Sequence, residues 1–148
     1  MTEVVYNVAK ARFTNGSLDW DTTDIRALII GVNATTPSQQ FDPDLDTVSQ
    51  LLALTGIVEA TGTGYARKTV GTRTVTEDDG NDRANLDAAT ITYTGANGWT
   101  ARAIVFYEEG GGTDATRNLI SYHDTGLPFT MNGGDFTINT PNDVIRAT

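Results

Sequence analysis

The segment Trp99 to Tyr107 constrains the fold more than any other part of this chain. Trp99, Ala101, Ala103, Val105 and Tyr107 alternate with Thr100, Arg102, Ile104 and Phe106, and an extended backbone sets each group on its own face. β-Branched and aromatic residues dominate both faces, which predicts a strand buried on both sides within a sandwich. The stretch Glu108 to Arg117 is polar and rich in glycine, and Leu119-Ile120-Ser121-Tyr122 returns from it. The two arms therefore pair as a hairpin with a long loop.

A chain of 148 residues with 39% hydrophobic content has enough apolar surface for one ordinary core, and no Pro/Ser-rich linker divides it. The formal net charge of −9, from 19 acidic and 10 basic side chains, repels phosphate backbones and anionic membranes. Nucleic acid and membrane are thus poor partners. With no cysteine, disulfides, thiolate ligands and cysteine nucleophiles are excluded. The first residues carry neither a basic start nor a long apolar run, and no stretch approaches a membrane span. The reading is a chain neither exported by a classical signal nor membrane-spanning.

From the N-terminus, Val5, Val8, Ala9, Arg12 and Phe13 follow helical spacing, while Val4, Tyr6 and Val8 alternate, and Asn15-Gly16 ends the segment under either period. Residues 1–15 are read as an arm or a short helix, and residues 16–148 as the β domain. Ile25 to Gly31 predicts a second central strand, with Trp20 as a cover on the sandwich edge. Val48, Leu51 and Leu52 share a face in a short helix within Thr47 to Leu54, capped by Asp44 or Asp46 and stopped at Gly56. Short strands follow at Val58-Glu59-Ala60, Lys68 to Val75, Asn85 to Tyr93, Phe129 to Met131 and Asp135 to Asn139. Glycine turns separate them, and the 25 threonines and 15 glycines agree with this pattern. The fold class is all-β: one β-sandwich, the jelly roll being one arrangement of it.

Chemistry is scarce. Asp42, Asp44 and Asp46 have the spacing that opens a calcium loop, but Thr47 replaces the turn glycine and Ala53 the bidentate glutamate. The only histidine, His123, stands beside Asp124, and adjacent strand residues point apart, so the pair reads as a strand end rather than a base and its orienter. Gly110-Gly111-Gly112-Thr113 lacks the lysine of a phosphate loop and follows two glutamates. Arg67, Lys68 and Arg73 form at most a local positive spot. No enzymatic activity, cofactor or metal is expected.

The succession of Asn15-Gly16, Ile25 to Ile30, Gly62-Thr63-Gly64-Tyr65, Arg102 to Tyr107, the Gly/Thr/Asp loop, Leu119 to Tyr122 and Asn132 to Ile138 resembles a widespread group of small structural proteins of tailed bacteriophages. The resemblance runs from about Tyr6 to Ile138; Glu77 to Arg83 and Pro141 to Thr148 depart from it. It implies a non-enzymatic virion component and supplies no site residues. On that basis the leading expectation is a capsid decoration or cement protein, assembled in the host cytoplasm onto the major capsid protein. It would act as a homo-oligomer, a trimer being one candidate. A tail or neck component is the first alternative. Another is a carbohydrate-binding module of a head fibre, for which Trp20, Trp99 and Tyr65 would line an exposed groove. A hydrolase using turn carboxylates comes last. Val4, Val5, Tyr6, Val8 and Phe13 are too apolar for a free tail and are expected to dock on a neighbouring copy or the shell. Glu108, Glu109 and Arg117 in the long loop are the next interface candidates.

Overall fold

The computed structural model describes residues 3–32, 42–139 and 145–147. In chain order its elements are β1 (Glu3–Val5), α1 (Asn7–Thr14), β2 (Ile25–Val32), α2 (Val48–Leu52), β3 (Val58–Glu59), β4 (Lys68–Thr69) and β5 (Thr74–Asp78). There follow β6 (Arg83–Asp87), β7 (Ile91–Tyr93), β8 (Asn97–Ala101), β9 (Ala103–Glu108), β10 (Leu119–His123), β11 (Phe129–Asn132), β12 (Phe136–Ile138) and β13 (Ile145–Ala147).

The largest sheet runs β1-β10-β9-β2-β3, with β4 also on β2, and every pairing in it is antiparallel. β9 is central and β10 returns beside it, the expected long-looped hairpin. Alternation along β2, β9 and β10 divides their side chains between two cores. Ile25, Ala27, Ile29, Ile104, Phe106 and Ile120 face a second layer made of three small antiparallel sheets, β8/β11, β7/β12 and β5/β6/β13. That layer contributes Leu86, Tyr93, Trp99, Met131, Ile138 and Ile145. Leu28, Ile30, Val105, Tyr107, Leu119 and Tyr122 face the other way, under Val48 and Leu51 of α2 and under Tyr6. The result is an all-β, sandwich-like domain whose main sheet is covered on both faces.

The segment Trp99 to Tyr107 is not one strand. It breaks at Arg102, whose amide donates to the carbonyl of Ile30 (2.8 Å), and the chain passes from β8 in the second layer to β9 in the main sheet. The break shifts the alternation by one residue: Trp99 and Ala101 share a core with Ile104 and Phe106 rather than with Ala103, Val105 and Tyr107. Simple alternation is blind to this, because a strand that changes sheets keeps its composition while its faces exchange. The same limit applies at 85–93, which splits into β6 and β7, and at 68–75, which splits into β4 and β5 around Thr72 at φ +35°.

The N-terminal segment carries both periods in turn, a strand at β1 and then a helix at α1. β1 pairs with β10, setting Val4 against Tyr122 and Val5 against Ser121. Tyr6 is fully buried, Val4 and Val8 pack on its core, and Val5 and Phe13 pack on the core of the other face. The short helix of the sequence reading forms at Asn7–Thr14, and residues 3–14 supply an edge strand and a covering helix packed on the same domain. The second short helix, α2, forms where expected, but its N-cap is Thr47. The Thr47 hydroxyl accepts from the Gln50 amide (3.3 Å) while the Gln50 side chain accepts from the Thr47 amide (3.1 Å), a reciprocal capping box. Asp44 instead accepts from the side chain of Asn7 (2.7 Å), and the Asp46 amide donates to Gln50 (2.7 Å). At the other end, Ile145 in β13 is buried against β6. Gly64 meets a specific demand: at φ +76° a Cβ there would lie 2.6 Å from the Thr94 carbonyl oxygen.

Deleting residues 2 to 12 is expected to abolish cooperative unfolding, because it strips the edge of the main sheet and removes Tyr6 from the core. Tyr6→Ala alone should cost about 3–5 kcal/mol, the range for losing a buried aromatic side chain. Chemical denaturation followed by far-UV circular dichroism checks both. A deletion variant with unchanged stability would show that the segment is an appendage.

Candidate docking surface at the β9–β10 loop

A connected network of charged residues forms where the loop after β9 meets β2 and the segment 59–67. Tyr65 starts the arrangement: its hydroxyl accepts from the Ile29 amide (3.1 Å) in the main sheet and donates to Glu59 (2.7 Å). Glu59 takes two donors from Arg67, Nε at 2.8 Å and Nη2 at 2.7 Å. The opposite side of the same guanidinium holds Asp114 through Nη1 (2.6 Å) and Nη2 (2.9 Å). One planar fork thus ties a strand end to the tip of the long loop, a geometry that a lysine cannot reproduce.

Asp114 also accepts from Arg117 (2.9 Å), and Arg117 donates in turn to Glu109. Glu109 lies 3.6 Å from Arg26, which pairs with Asp24 at 3.3 Å. The sequence Glu59, Arg67, Asp114, Arg117, Glu109, Arg26, Asp24 is an unbroken alternation of acid and base. Beneath it lies the ring of Tyr107, with the Arg67 and Arg117 guanidinium carbons 5.4 and 5.8 Å from its centroid. Glu108 stands apart, paired with Arg12 of α1 (2.8 Å) and accepting from Asn118 (3.2 Å).

The local fold explains the convergence. Gly110 and Gly111 have φ of +56° and +67°, so the chain turns sharply after β9. The Thr113–Thr116 turn, closed by the Thr116 amide on the Thr113 carbonyl (2.8 Å), sets Asp114 and Arg117 side by side. The charges respond as their neighbours dictate. The donors of Arg67, followed by those of Arg117, hold the Asp114 carboxyl down at about 2, and the carboxylates of Glu59 and Asp114 raise Arg67 above its ordinary value.

Of the interface residues read from the sequence, Glu109 and Arg117 meet in this network and Glu108 lies beside it. Tyr6 is buried in one core, and Val4, Val5, Val8 and Phe13, each partly exposed, pack against the two cores. Sequence reading missed Glu59, Arg67 and Asp114. The acid–base spacing of Asp114 and Arg117 was a visible signal; the pairing with Arg67 was not, since 47 residues separate it from Asp114. Nor do the basic residues near 67–73 form a positive spot. Arg67 is enclosed by carboxylates, Lys68 sits over the Tyr93 ring (5.6 Å), and Arg73 donates to the backbone carbonyls of Trp20, Asp21, Thr23 and Val70.

The aromatic groove required for glycan stacking is not built from Trp20, Trp99 and Tyr65. Trp20 and Trp99 are 2% and 5% exposed, with their indole N–H groups on the carbonyls of Asp87 (2.8 Å) and Thr63 (2.9 Å). Among the described residues no three Asp, Glu or His side chains converge on a cation position. His123 ends β10, its Nε2 2.9 Å from Ser121 Oγ and its ring edge-on to Phe106. Burial pushes the imidazole down to about 4, against a smaller opposing pull from Asp124. Comparison with protein families, characterised proteins and solved structures found no match to this chain.

Two outcomes are expected. Arg67→Met should destabilise the domain by about 2 kcal/mol, between the cost of an exposed pair and that of a buried one, and expose the loop to proteolysis near Gly111. A loop cleaved no faster than in the parent would show that the network does not hold it. For His123 the folded value lies below the ordinary 6.5. Its contribution is therefore complete above that value and is lost as pH falls towards about 4. The melting temperature should fall across that window, and His123→Gln should flatten the fall; equal slopes in both proteins would assign the acid sensitivity elsewhere.

Proposed function

We propose that this protein is a non-enzymatic structural component that works by docking a preformed surface, centred on the β9–β10 loop, onto partner proteins. One observation carries the reading: the glycine-rich loop is fixed by the Arg67–Asp114 and Arg117–Glu109 pairs instead of being left to solvent. Ordering a loop before contact removes much of the entropic cost of ordering it during contact, an advantage for a surface repeated over a lattice. The overall charge of −9 favours partners whose facing surface is basic.

Together with the resemblance of its strand and turn succession to small phage structural proteins, this reading becomes a decoration protein on the outside of a tailed-phage head, bound to the major capsid protein. The test uses the purified full chain and empty shells of the cognate major capsid protein. Co-sedimentation at low salt, weakening as salt rises, and an increased melting temperature of the shell are expected. Antibody labelling of intact particles only on tails would replace the head placement with a tail or neck position. Absence of both shell binding and particle labelling would end the virion reading.

A further inference from the structure

The second layer contains a feature that its packing leaves unfinished. In the sheet β13-β6-β5 the register places Ile145 against Leu86 and Leu86 against Val75, one apolar row across three strands. Exposure along this row runs 3%, 6% and then 49%. The row ends at Val75 because β5 is an edge: among the described residues it pairs only with β6. Beside that exposed end lies a cavity of about 660 Å3, lined among others by Leu86, Ile145, Phe13, Trp20 and Val75. An unpaired strand edge, an interrupted apolar row and a cavity of side-chain dimensions or larger thus coincide.

We propose that the free edge of β5 is a docking site for an extended, basic segment of a partner protein, added as a fourth strand, with an aromatic side chain opposite Val75 entering the cavity. The register supplies the chemistry. A residue opposite Val75 continues the Ile145–Leu86–Val75 row and is therefore apolar, and a cavity of this volume takes a large ring better than a branched aliphatic group. Two positions along, on the same face, the added strand meets Glu77, which is exposed and stands in register with Ala84 of the cavity wall. Asp79 and Asp82 are exposed in the adjoining turn, whereas Asp78 is already paired with Arg83 (2.9 Å). A lysine or arginine two residues from the aromatic meets this unspent acidic charge. Within the cavity Lys10 and Asp19 offset one another, leaving the edge to set the sign. Thr74 and Thr76, on the opposite face, ask only for small polar neighbours. A second copy paired through β5 and centred on Val75 would present Val75 to Val75, and a valine is too short to fill the space. The inference concerns a different surface from the β9–β10 loop and stands whether or not the chain decorates a shell.

The probe is the capped peptide TKTFTKT, which places its aromatic and both lysines on one face, titrated into the full-length isotope-labelled protein. Amide shifts confined to Thr74–Asp78 and to cavity residues, with slowed exchange of the outer β5 amides and a change in Trp20 fluorescence, are expected. Replacing the phenylalanine by alanine, or both lysines by glutamate, should weaken binding by at least about tenfold. Val75→Lys, at a half-exposed position, should leave the fold intact by circular dichroism and abolish the shifts. Shifts elsewhere, equal binding of the glutamate peptide, or no shifts at about 1 mM peptide would overturn the proposal. So would a protein dimer, seen by sedimentation and lost in Val75→Lys, since the edge would then belong to a second copy.

Discussion

A strand that is apolar on both faces cannot stop at being one side of a sheet, and β9 imposes this requirement on the whole domain. Ile104 and Phe106 need one cover and Ala103, Val105 and Tyr107 another. Neither face is satisfied by its neighbours β2 and β10, which are apolar on both sides themselves. The chain answers with different materials. Three small sheets cover one face, while a five-residue helix and the entry of the N-terminal segment cover the other. The apparent surplus of apolar residues near the N-terminus follows from this demand: Tyr6 closes the second core, and Val5 and Phe13 help to close the first.

Charge is arranged around the same strand. Tyr107 ends the apolar run of β9 with its ring under two guanidinium groups, so the core and the ionic network share a residue. Partly buried ion pairs are a weak source of stability in general, because desolvation offsets attraction. Their effect here is positional: the alternating series from Glu59 to Asp24 defines where the tip of a glycine-rich loop rests. A loop with Gly110, Gly111 and Gly112 would otherwise have the greatest conformational freedom in the chain.

The sheet, its central strand and the long-looped hairpin were legible in the sequence because β-branched and aromatic residues leave few other ways to be buried. The short helix at Thr47 was legible for its shared face, although its cap was misassigned to aspartates that outnumber the threonine that does the capping. Less visible was everything that depends on a change of partner without a change of composition. The crossing at Arg102, the splits at Thr72 and at residues 88–90, and the return of Ile145 onto β6 arise from tertiary pairing. The ionic site was half visible: Glu109 and Arg117 stand close in sequence, whereas Glu59, Arg67 and Asp114 are united only by folding.

Arg73 illustrates a different use of a cation. Its guanidinium faces the carbonyl oxygens of Trp20, Asp21, Thr23 and Val70. These acceptors are neutral, fixed to the main chain and incapable of taking up a proton. The turn that carries Trp20 into the core is consequently fastened to acceptors that carry no formal charge. Concentrated electrolyte has little grip on it, since there is no counter-charge for a mobile ion to displace. The loop at Asp114 and the turn at Trp20 therefore belong to two classes of fastening in one small domain, one between opposite charges that brine screens and the other between a cation and main-chain dipoles.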